Sequence, residues 1–421
     1  MSILIKNISS NYLAAVTAAL APLLAVQWYL DSIGAYKFGL ISFITTLQVV
    51  LGLLDAGLSQ ALIREFSKSE GEKSEKVKIL QAAEVGYIFI GLIGGLLLFC
   101  TSDLIVDRWL SPSAEHWRET LSAIQGAGLI FALGFPSSVY RSLLLGLQEQ
   151  VKLNITLIAF TIIKTVGGVV VVAWTRSVVY YVIFQVVVTL IETCIRRVLA
   201  LASVGIKGYR FRFVWRDIES LRKIALVMSL AALMGALTVQ VDRLFLSGIG
   251  SLEIFGYYNV AANLAAGSLI LLNPITQAYW PNAISCREDA ASLKRICLEY
   301  LFCVCLLVIA GAIGYYFFGY LILSLLLGSK AAVDVVYSVL SILLMGTVLN
   351  AFYSVGYMAW IARGLTGKIF TVNLLSLGSA VIAIPLCIDR FGYIGAAAGW
   401  LIINLIGFLF SLDWLFLKRR I

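Results

Sequence analysis

The chain has 421 residues, of which 61% are hydrophobic and 13% are charged, and its mean hydropathy is +0.95. Soluble domains carry about 25% charged residues, so this composition excludes a soluble globular protein and favours an all-α integral membrane protein. The net charge of +9 needs no nucleic-acid partner, because basic residues in the loops of a membrane protein give the same excess.

Apolar runs long enough to cross a bilayer as helices recur along the whole chain. They predict about twelve transmembrane helices, at 8–30, 36–62, 80–100, 118–146, 154–174, 178–203, 223–246, 253–284, 297–318, 332–361, 369–388 and 394–416. The first run is too long for the apolar region of a signal peptide and has no small-residue cleavage site, so we expect it to stay as a helix.

Basic residues concentrate in alternate loops, which predicts that both termini are cytoplasmic, because positive residues resist translocation. These basic segments include 64–78, Arg196 and Arg197 at the end of span six, 207–223, 287–295 and 418–420. The chain is thus predicted to comprise an N-terminal six-helix lobe at 1–204, a basic cytoplasmic linker at 205–222 and a C-terminal six-helix lobe at 223–421.

Two pairs of short segments resemble each other at nearly the same spacing. Gly34, between spans one and two, resembles Gly250, between spans seven and eight. After spans four and ten the matching sets are Tyr140, Gly146, Leu147 and Asn154, and Tyr357, Gly364, Leu365 and Asn373. Six spans separate the copies, so we expect two lobes related by an axis along the membrane normal, with a central cavity and the substrate path between them.

Charged residues inside the predicted spans point to partners or to a pathway, since each costs about 2.5–3.5 kcal/mol on insertion. Lys164 has no carboxylate within a turn on its own helix, so we expect it to line a cavity rather than to form a structural pair between helices. Asp55 and Arg141 are predicted to meet as a structural clasp across spans two and four. Asp242 and Arg243 lie on different faces of one helix, and both membrane-edge anchoring and a place in the pathway stay open for them.

Two further charged residues are Glu192, past the middle of span six, and Glu84, which we place at the membrane interface. The seven cysteines and the single histidine, His116, form no metal-binding or redox pattern. We interpret the cysteines as small core residues and His116 as a loop residue. We expect no catalytic residue, no metal and no cofactor.

Several short motifs resemble those of a known family. They are Asn11-Tyr12, Gly34 to Gly39, Leu54 to Leu58 (LDAGL), Arg64, Gly146-Leu147-Gln148, Asp242 to Leu246 (DRLFL), Gly256-Tyr257-Tyr258, Pro281 and Asp389 to Ala397 (DRFGYIGAA). With them the chain resembles the Wzx-type polysaccharide-repeat-unit flippases, within the superfamily of multidrug, oligosaccharidyl-lipid and polysaccharide exporters, over nearly its whole length.

The resemblance implies two six-helix lobes in a V-shaped bundle around a cationic cavity. It also implies alternating-access transport of an undecaprenyl-diphosphate-linked oligosaccharide from the cytoplasmic to the periplasmic face of a bacterial inner membrane, for O-antigen, capsule or exopolysaccharide synthesis. A diphosphate needs cations in a low-dielectric cavity, and the candidates are Lys164, Arg243, Arg141 and Arg64. The resemblance further implies a glycan polymerase and a chain-length regulator as partners. The resemblance also implies coupling to H⁺ or Na⁺. The candidates to bind the coupling ion are the deep carboxylates, Asp55, Glu192 and Asp242.

Three other functions compete with this one. A multidrug or small-solute exporter of the same superfamily would carry unpaired carboxylates for cationic drugs rather than Lys164. A major-facilitator transporter would have a Gly-rich Asp-Arg pattern in the loop at 64–78, which this loop lacks. A membrane glycosyltransferase or polymerase needs acid and base residues on an ordered loop. The glycan stays open, because Trp28, Tyr279 and Trp280 suit sugar recognition and membrane interfaces equally.

Overall fold

The computed structural model describes residues 3–67, 73–205, 237–286 and 288–416, and every regular element in these ranges is helical. This agrees with the predicted all-α fold. Residues 206–222 of the predicted linker and 223–236 of the predicted seventh span lie outside the described residues.

The chain folds into two compact units, Met1–Leu233 and Met234–Ile421. The first unit contains α1 (Ile3–Leu24), α2 (Val26–Gly52), α3 (Ala56–Phe66), α4 (Lys73–Cys100), α5 (Ser102–Leu104), α6 (Ala114–Gly134), α7 (Ser137–Gly146), α8 (Gln150–Ile162), α9 (Gly168–Thr175) and α10 (Val178–Val204). A 3-10 turn at Leu53–Asp55 and π-helical segments at Ile105–Leu110 and Ile163–Gly167 connect neighbouring helices.

The second unit contains α11 (237–249 of the described residues), α12 (Leu252–Ile270), α13 (Asn273–Ser285), α14 (Ala290–Leu327), α15 (Lys330–Ala362), α16 (Thr366–Phe391) and α17 (Tyr393–Ser411). A 3-10 turn, Leu412–Phe416, follows α17. Polar side chains cap several helices: Ser251 accepts a hydrogen bond from the backbone N–H of Ile254 in α12, and Asp289 accepts one from Ala291 in α14.

Within the described ranges, nine segments are long and apolar enough to cross a membrane, so the chain is a multi-pass membrane protein. They are Val26–Asp55, Lys76–Cys100, Ala114–Gly146, Gln150–Thr175, Val178–Val204, Ala290–Leu327, Lys330–Ala362, Gly367–Phe391 and Tyr393–Phe416. Of the other predicted spans, the first contains the shorter apolar helix Ser9–Leu24, and the eighth is divided between α12 and α13. The full twelve-helix arrangement stays a prediction.

Breaks in the helices occur at glycine and proline. Gly34 interrupts α2 with φ 76° and ψ 169°, in the segment that the sequence places between spans one and two. Pro136 stands between α6 and α7, where its missing N–H ends the hydrogen-bond ladder of the preceding helix.

Small residues allow the helices of each unit to pack closely. A Cβ added at Gly95 of α4 would lie 2.6 Å from the Gly128 carbonyl oxygen on α6. In the second unit, a Cβ on Gly356 of α15 would lie 2.4 Å from the Ser411 carbonyl oxygen on α17. Such contacts are typical of membrane helices, whose association depends on close packing rather than on the hydrophobic effect.

The same turn geometry recurs in the two units at a spacing of 216 residues (364 minus 148, and 392 minus 176). Gln148 and Gly364 both have positive φ, 60° and 70°. The residues that follow them, Glu149 and Leu365, have φ/ψ of −86°/43° and −79°/52°. Arg176 and Gly392 also have positive φ, 54° and 59°. These two turns therefore recur, with Gly364 aligned with Gln148 and not with the predicted Gly146, whereas the positive φ of Gly34 does not recur at Gly250.

Candidate substrate site

Lys164 lies on the π-helical segment between α8 and α9, in the middle of a membrane-spanning stretch. Its Nζ is 2.6 Å from Glu192 Oε2 on α10, and its side chain is 30% exposed. Gln185 on α10 donates a hydrogen bond to the Lys164 carbonyl oxygen. We expected Lys164 to line a cavity and not to form an ion pair between helices. The expectation is wrong on the second point, because Lys164 pairs with Glu192, although the Lys164 side chain stays partly exposed. π-Helical turns inside α-helices are frequent at functional sites.

Glu192 joins Lys164 to a second cation, Arg196, one turn further along α10. Arg196 also donates to Ser137 Oγ on α7 at 3.0 Å, and its side chain is 9% exposed. Its Nε is buried and has no hydrogen-bond partner among the described residues. Arg141 is exposed and lies one turn after Ser137 on α7, so the two side chains share a face of that helix.

We name Lys164, Glu192, Arg196 and Arg141 the cationic cluster. It holds three positive charges and one negative charge. Glu192 lies about 18 Å along α10 from the C-terminal end of that helix, deep within a core about 30 Å thick. An unpaired guanidinium N–H and an exposed Arg beside it can bind an anion, and a low dielectric strengthens such contacts.

Sequence reasoning missed Arg196, which it assigned to the basic residues at the end of span six. The signal was present, because Glu192 and Arg196 are four residues apart and therefore share a helix face. The fourth predicted substrate cation, Arg64, lies on α3, and the structure does not describe its side chain.

Asp55 does not form the predicted clasp with Arg141. Its Oδ1 accepts hydrogen bonds from the hydroxyls of Ser59 and Tyr87, each at 2.6 Å. Neutral hydroxyl donors thus take the place of the predicted ion pair.

Glu84 is also buried, not interfacial as predicted. Its side chain is 3% exposed and accepts from the Tyr140 hydroxyl at 2.5 Å and from Arg197 Nε at 2.6 Å. This network joins α4, α7 and α10.

In the second unit, Asp242 and Arg243 are both buried, which argues against anchoring at the membrane edge. Asp242 accepts hydrogen bonds from the Tyr258 hydroxyl and from the Arg243 backbone N–H. The Arg243 guanidinium donates to Asn263 Oδ1 at 3.1 Å. The two side chains have different partners, as their adjacent positions predict. Asp242 and Arg243 belong to the second unit, whereas the cationic cluster belongs to the first.

Metal ligands do not gather anywhere in the described ranges, where no group of three His, Cys, Asp or Glu side chains is placed to hold an ion.

The polysaccharide biosynthesis protein family matches residues 4–285 of the chain. A Shigella flexneri protein described as an O-antigen transporter is 23% identical over 427 residues, which cover 99% of this chain and 98% of that protein. These two matches are to sequences and extend over most or all of the chain.

Two solved structures show the same fold. The lipid II flippase MurJ, in an inward closed conformation, has a TM-score of 0.75 and 17% identity, covering 98% of this chain and 87% of MurJ. An inward-facing multidrug resistance transporter of the MATE family, in the MOP superfamily, has a TM-score of 0.69 and 14% identity, covering 96% of this chain and 99% of that chain. These similar proteins are described as transporters or flippases. The chain belongs to the polysaccharide biosynthesis protein family, which confirms the resemblance to Wzx-type flippases.

Proposed function

We propose that this protein moves an undecaprenyl-diphosphate-linked oligosaccharide repeat unit from the cytoplasmic to the periplasmic face of a bacterial inner membrane. The product would serve O-antigen, capsule or exopolysaccharide synthesis. Transport would proceed by alternating access between two six-helix lobes, 1–204 and 223–421, with both termini cytoplasmic and a glycan polymerase and chain-length regulator as partners. The observation that carries the proposal is the cationic cluster inside the membrane-spanning part of the first unit.

A diphosphate headgroup fits this cluster chemically. It is a dense anion that must leave water to cross the membrane, and charge-assisted hydrogen bonds from Lys and Arg offset that loss. Arg196 has a buried N–H with no partner in the described ranges, and Arg141 is exposed one turn from the Ser137 contact. Lys164 is partly exposed and held by a single described carboxylate. These groups supply the donors to phosphate oxygens in the proposed site.

A multidrug exporter is the second candidate, and the fold shared with the MATE transporter supports it. The excess of cations in the cluster disfavours it, because a cationic drug would meet three positive charges and one carboxylate. Coupling to H⁺ or Na⁺ through Asp55, Glu192 or Asp242 is a further part of the proposal. Of the three, Glu192 is the carboxylate that directly contacts the proposed substrate cations.

The test is to delete the gene from the native host and to express Lys164 variants in its place. Lys164→Ala should abolish surface glycan while the amount of protein in the membrane stays near normal, because Glu192 keeps its pairing with Arg196. Lys164→Arg should keep part of the activity, since the charge survives with a different geometry.

Lys152→Ala is the matched control. Lys152 pairs with Glu149 at the start of α8, where its side chain is 45% exposed, and its loss should leave glycan display unchanged. Full glycan display by the Lys164→Ala variant would overturn the proposed role of the cluster.

A further inference from the structure

Three aromatic side chains of the second unit form a group that the cationic cluster does not explain. The ring of Trp280 on α13 lies 6.3 Å, between centroids, from that of Tyr357 on α15. Tyr353, one turn earlier on α15, lies 5.6 Å from the same ring in an edge-to-face arrangement. All three side chains are partly exposed. We call Trp280, Tyr353 and Tyr357 the aromatic group.

Two buried polar atoms of this group have no hydrogen-bond partner among the residues that the structure describes. Within the described part of the chain, neither Trp280 Nε1 nor the Tyr353 hydroxyl makes a hydrogen bond. Their neighbours differ: Trp360 Nε1 donates to Asp413 at 2.8 Å, and the Tyr300 hydroxyl contacts Thr276 and Ser354 at 2.8 and 2.9 Å. An unmade hydrogen bond at a buried donor is unfavourable, and its persistence calls for an explanation such as a ligand.

The spacing of the repeat relates this group to positions of the proposed headgroup site. At the spacing of 216 residues, Arg141 corresponds to Tyr357, and Ser137, which accepts from Arg196, corresponds to Tyr353. The same spacing relates Arg64 to Trp280. Positions that are cationic or bind a cation in the first unit are therefore aromatic in the second. The two units share two turns at this spacing but offer different chemistry to a ligand.

We propose that the aromatic group binds a neutral sugar ring. Aromatic faces pack against the C–H face of a pyranose, while an indole N–H and a phenol O–H can bond its hydroxyl oxygens. A site with aromatic walls and a few polar atoms suits a ligand that is apolar on one face and polar at its edge. This inference rests on the proposed function and extends it by assigning recognition of the sugar to the aromatic group of the second unit.

The experiment compares two lipids bound to the purified full-length protein in nanodiscs, measured by native mass spectrometry. One is undecaprenyl diphosphate without sugar, and the other is the undecaprenyl-diphosphate-linked oligosaccharide isolated from the native host. Tyr353→Phe and Trp280→Phe should each weaken binding of the oligosaccharide lipid about tenfold and leave the bare lipid unchanged. Lys164→Ala should weaken the binding of both.

A stability measurement separates sugar binding from a structural role. Without ligand, Tyr353→Phe should raise the apparent unfolding temperature, because it removes an unpaired buried hydroxyl and keeps the ring. Tyr315→Phe is the matched control, since the Tyr315 hydroxyl bonds the Tyr337 carbonyl oxygen at 3.1 Å and Ser341 at 2.8 Å. It should lower the unfolding temperature and leave both lipid affinities unchanged.

The outcomes separate this inference from the proposed function. If the wild-type protein binds neither lipid, the proposed function fails and the sugar site fails with it. If the wild type binds both lipids and Lys164→Ala weakens both, but the Phe variants bind the oligosaccharide lipid normally, only the sugar site is overturned. A Tyr353→Phe variant less stable than the wild type would also overturn it, by showing that the hydroxyl has a structural partner.

Discussion

Glu84 is the position where a single substitution should most clearly lower the stability of the first unit. The carboxylate is 3% exposed and ties α4 to α7 through Tyr140 and to α10 through Arg197. Truncation to Ala removes the acceptor of the buried Tyr140 hydroxyl and the carboxylate that pairs with Arg197. A buried unpaired hydroxyl costs about 1–3 kcal/mol.

The ion-pair part of the loss is smaller than for a fully buried pair. Breaking such a pair costs about 3–5 kcal/mol, but the Arg197 side chain is 40% exposed and can turn toward water. We therefore expect Glu84→Ala to lower the free energy of unfolding by about 2–4 kcal/mol. Glu84→Gln keeps an oxygen acceptor for Tyr140, and its cost should be nearer about 1 kcal/mol.

The assay is thermal unfolding of the purified variants in detergent, together with their abundance in the membrane. Glu299→Ala is the control, because Glu299 and Arg295 form an exposed pair, 49% and 83% accessible, whose loss should cost under about 1 kcal/mol. The order of stability should be wild type and Glu299→Ala, then Glu84→Gln, then Glu84→Ala. If Glu84→Ala and the control were equally stable, the claim that the contacts of Glu84 with Tyr140 and Arg197 stabilise the fold would be refuted.

Three further outcomes follow from backbone geometry and topology. Thermal unfolding should show that Arg176→Ala is less stable than Arg176→Gly by about 1 kcal/mol. Both variants lose the guanidinium contacts to the α2 backbone, but only glycine adopts the positive φ of this position without strain. Gly395→Ala, whose Cβ would lie 2.0 Å from a backbone oxygen, should reduce folded protein, whereas Gly314→Ala, with nothing within 4 Å, should not. A cysteine placed at Ser113 should react with a membrane-impermeant maleimide applied to whole cells, and one placed at Ser67 should not. The labelling of the parent chain, which has its own cysteines, is the baseline. The reverse pattern would contradict the orientation.

The spans could be predicted from the sequence because membrane insertion is decided locally. A run of apolar residues bounded by charge suffices, and nine predicted spans overlap apolar segments of the described ranges, although the second, predicted at 36–62, lies at Val26–Asp55. The break at Gly34 was similarly local, since glycine reaches a φ of 76° that other residues rarely adopt.

The partners of the charged residues could not be predicted in the same way. Lys164 and Glu192 are separated by 28 residues, and their contact depends on how the π-helical segment and α10 cross. Asp55 was matched to the wrong partner for the same reason: opposite charge suggested Arg141, whereas packing brought Tyr87 to it. Contacts between helices depend on rotation and register, which hydropathy does not encode.

The predicted pairing of Gly146 with Gly364 differs by two residues from the spacing at which the turns recur. Matching sequences paired Gly146 with Gly364, but the two glycines serve different physical needs. Gly364 takes a positive φ at the turn, a role that Gln148 has in the first unit. Gly146 is required by packing, because a Cβ there would lie 2.5 Å from the Phe66 Cβ. A glycine selected for backbone conformation and one selected for close contact are identical letters, so only the backbone angles could separate them.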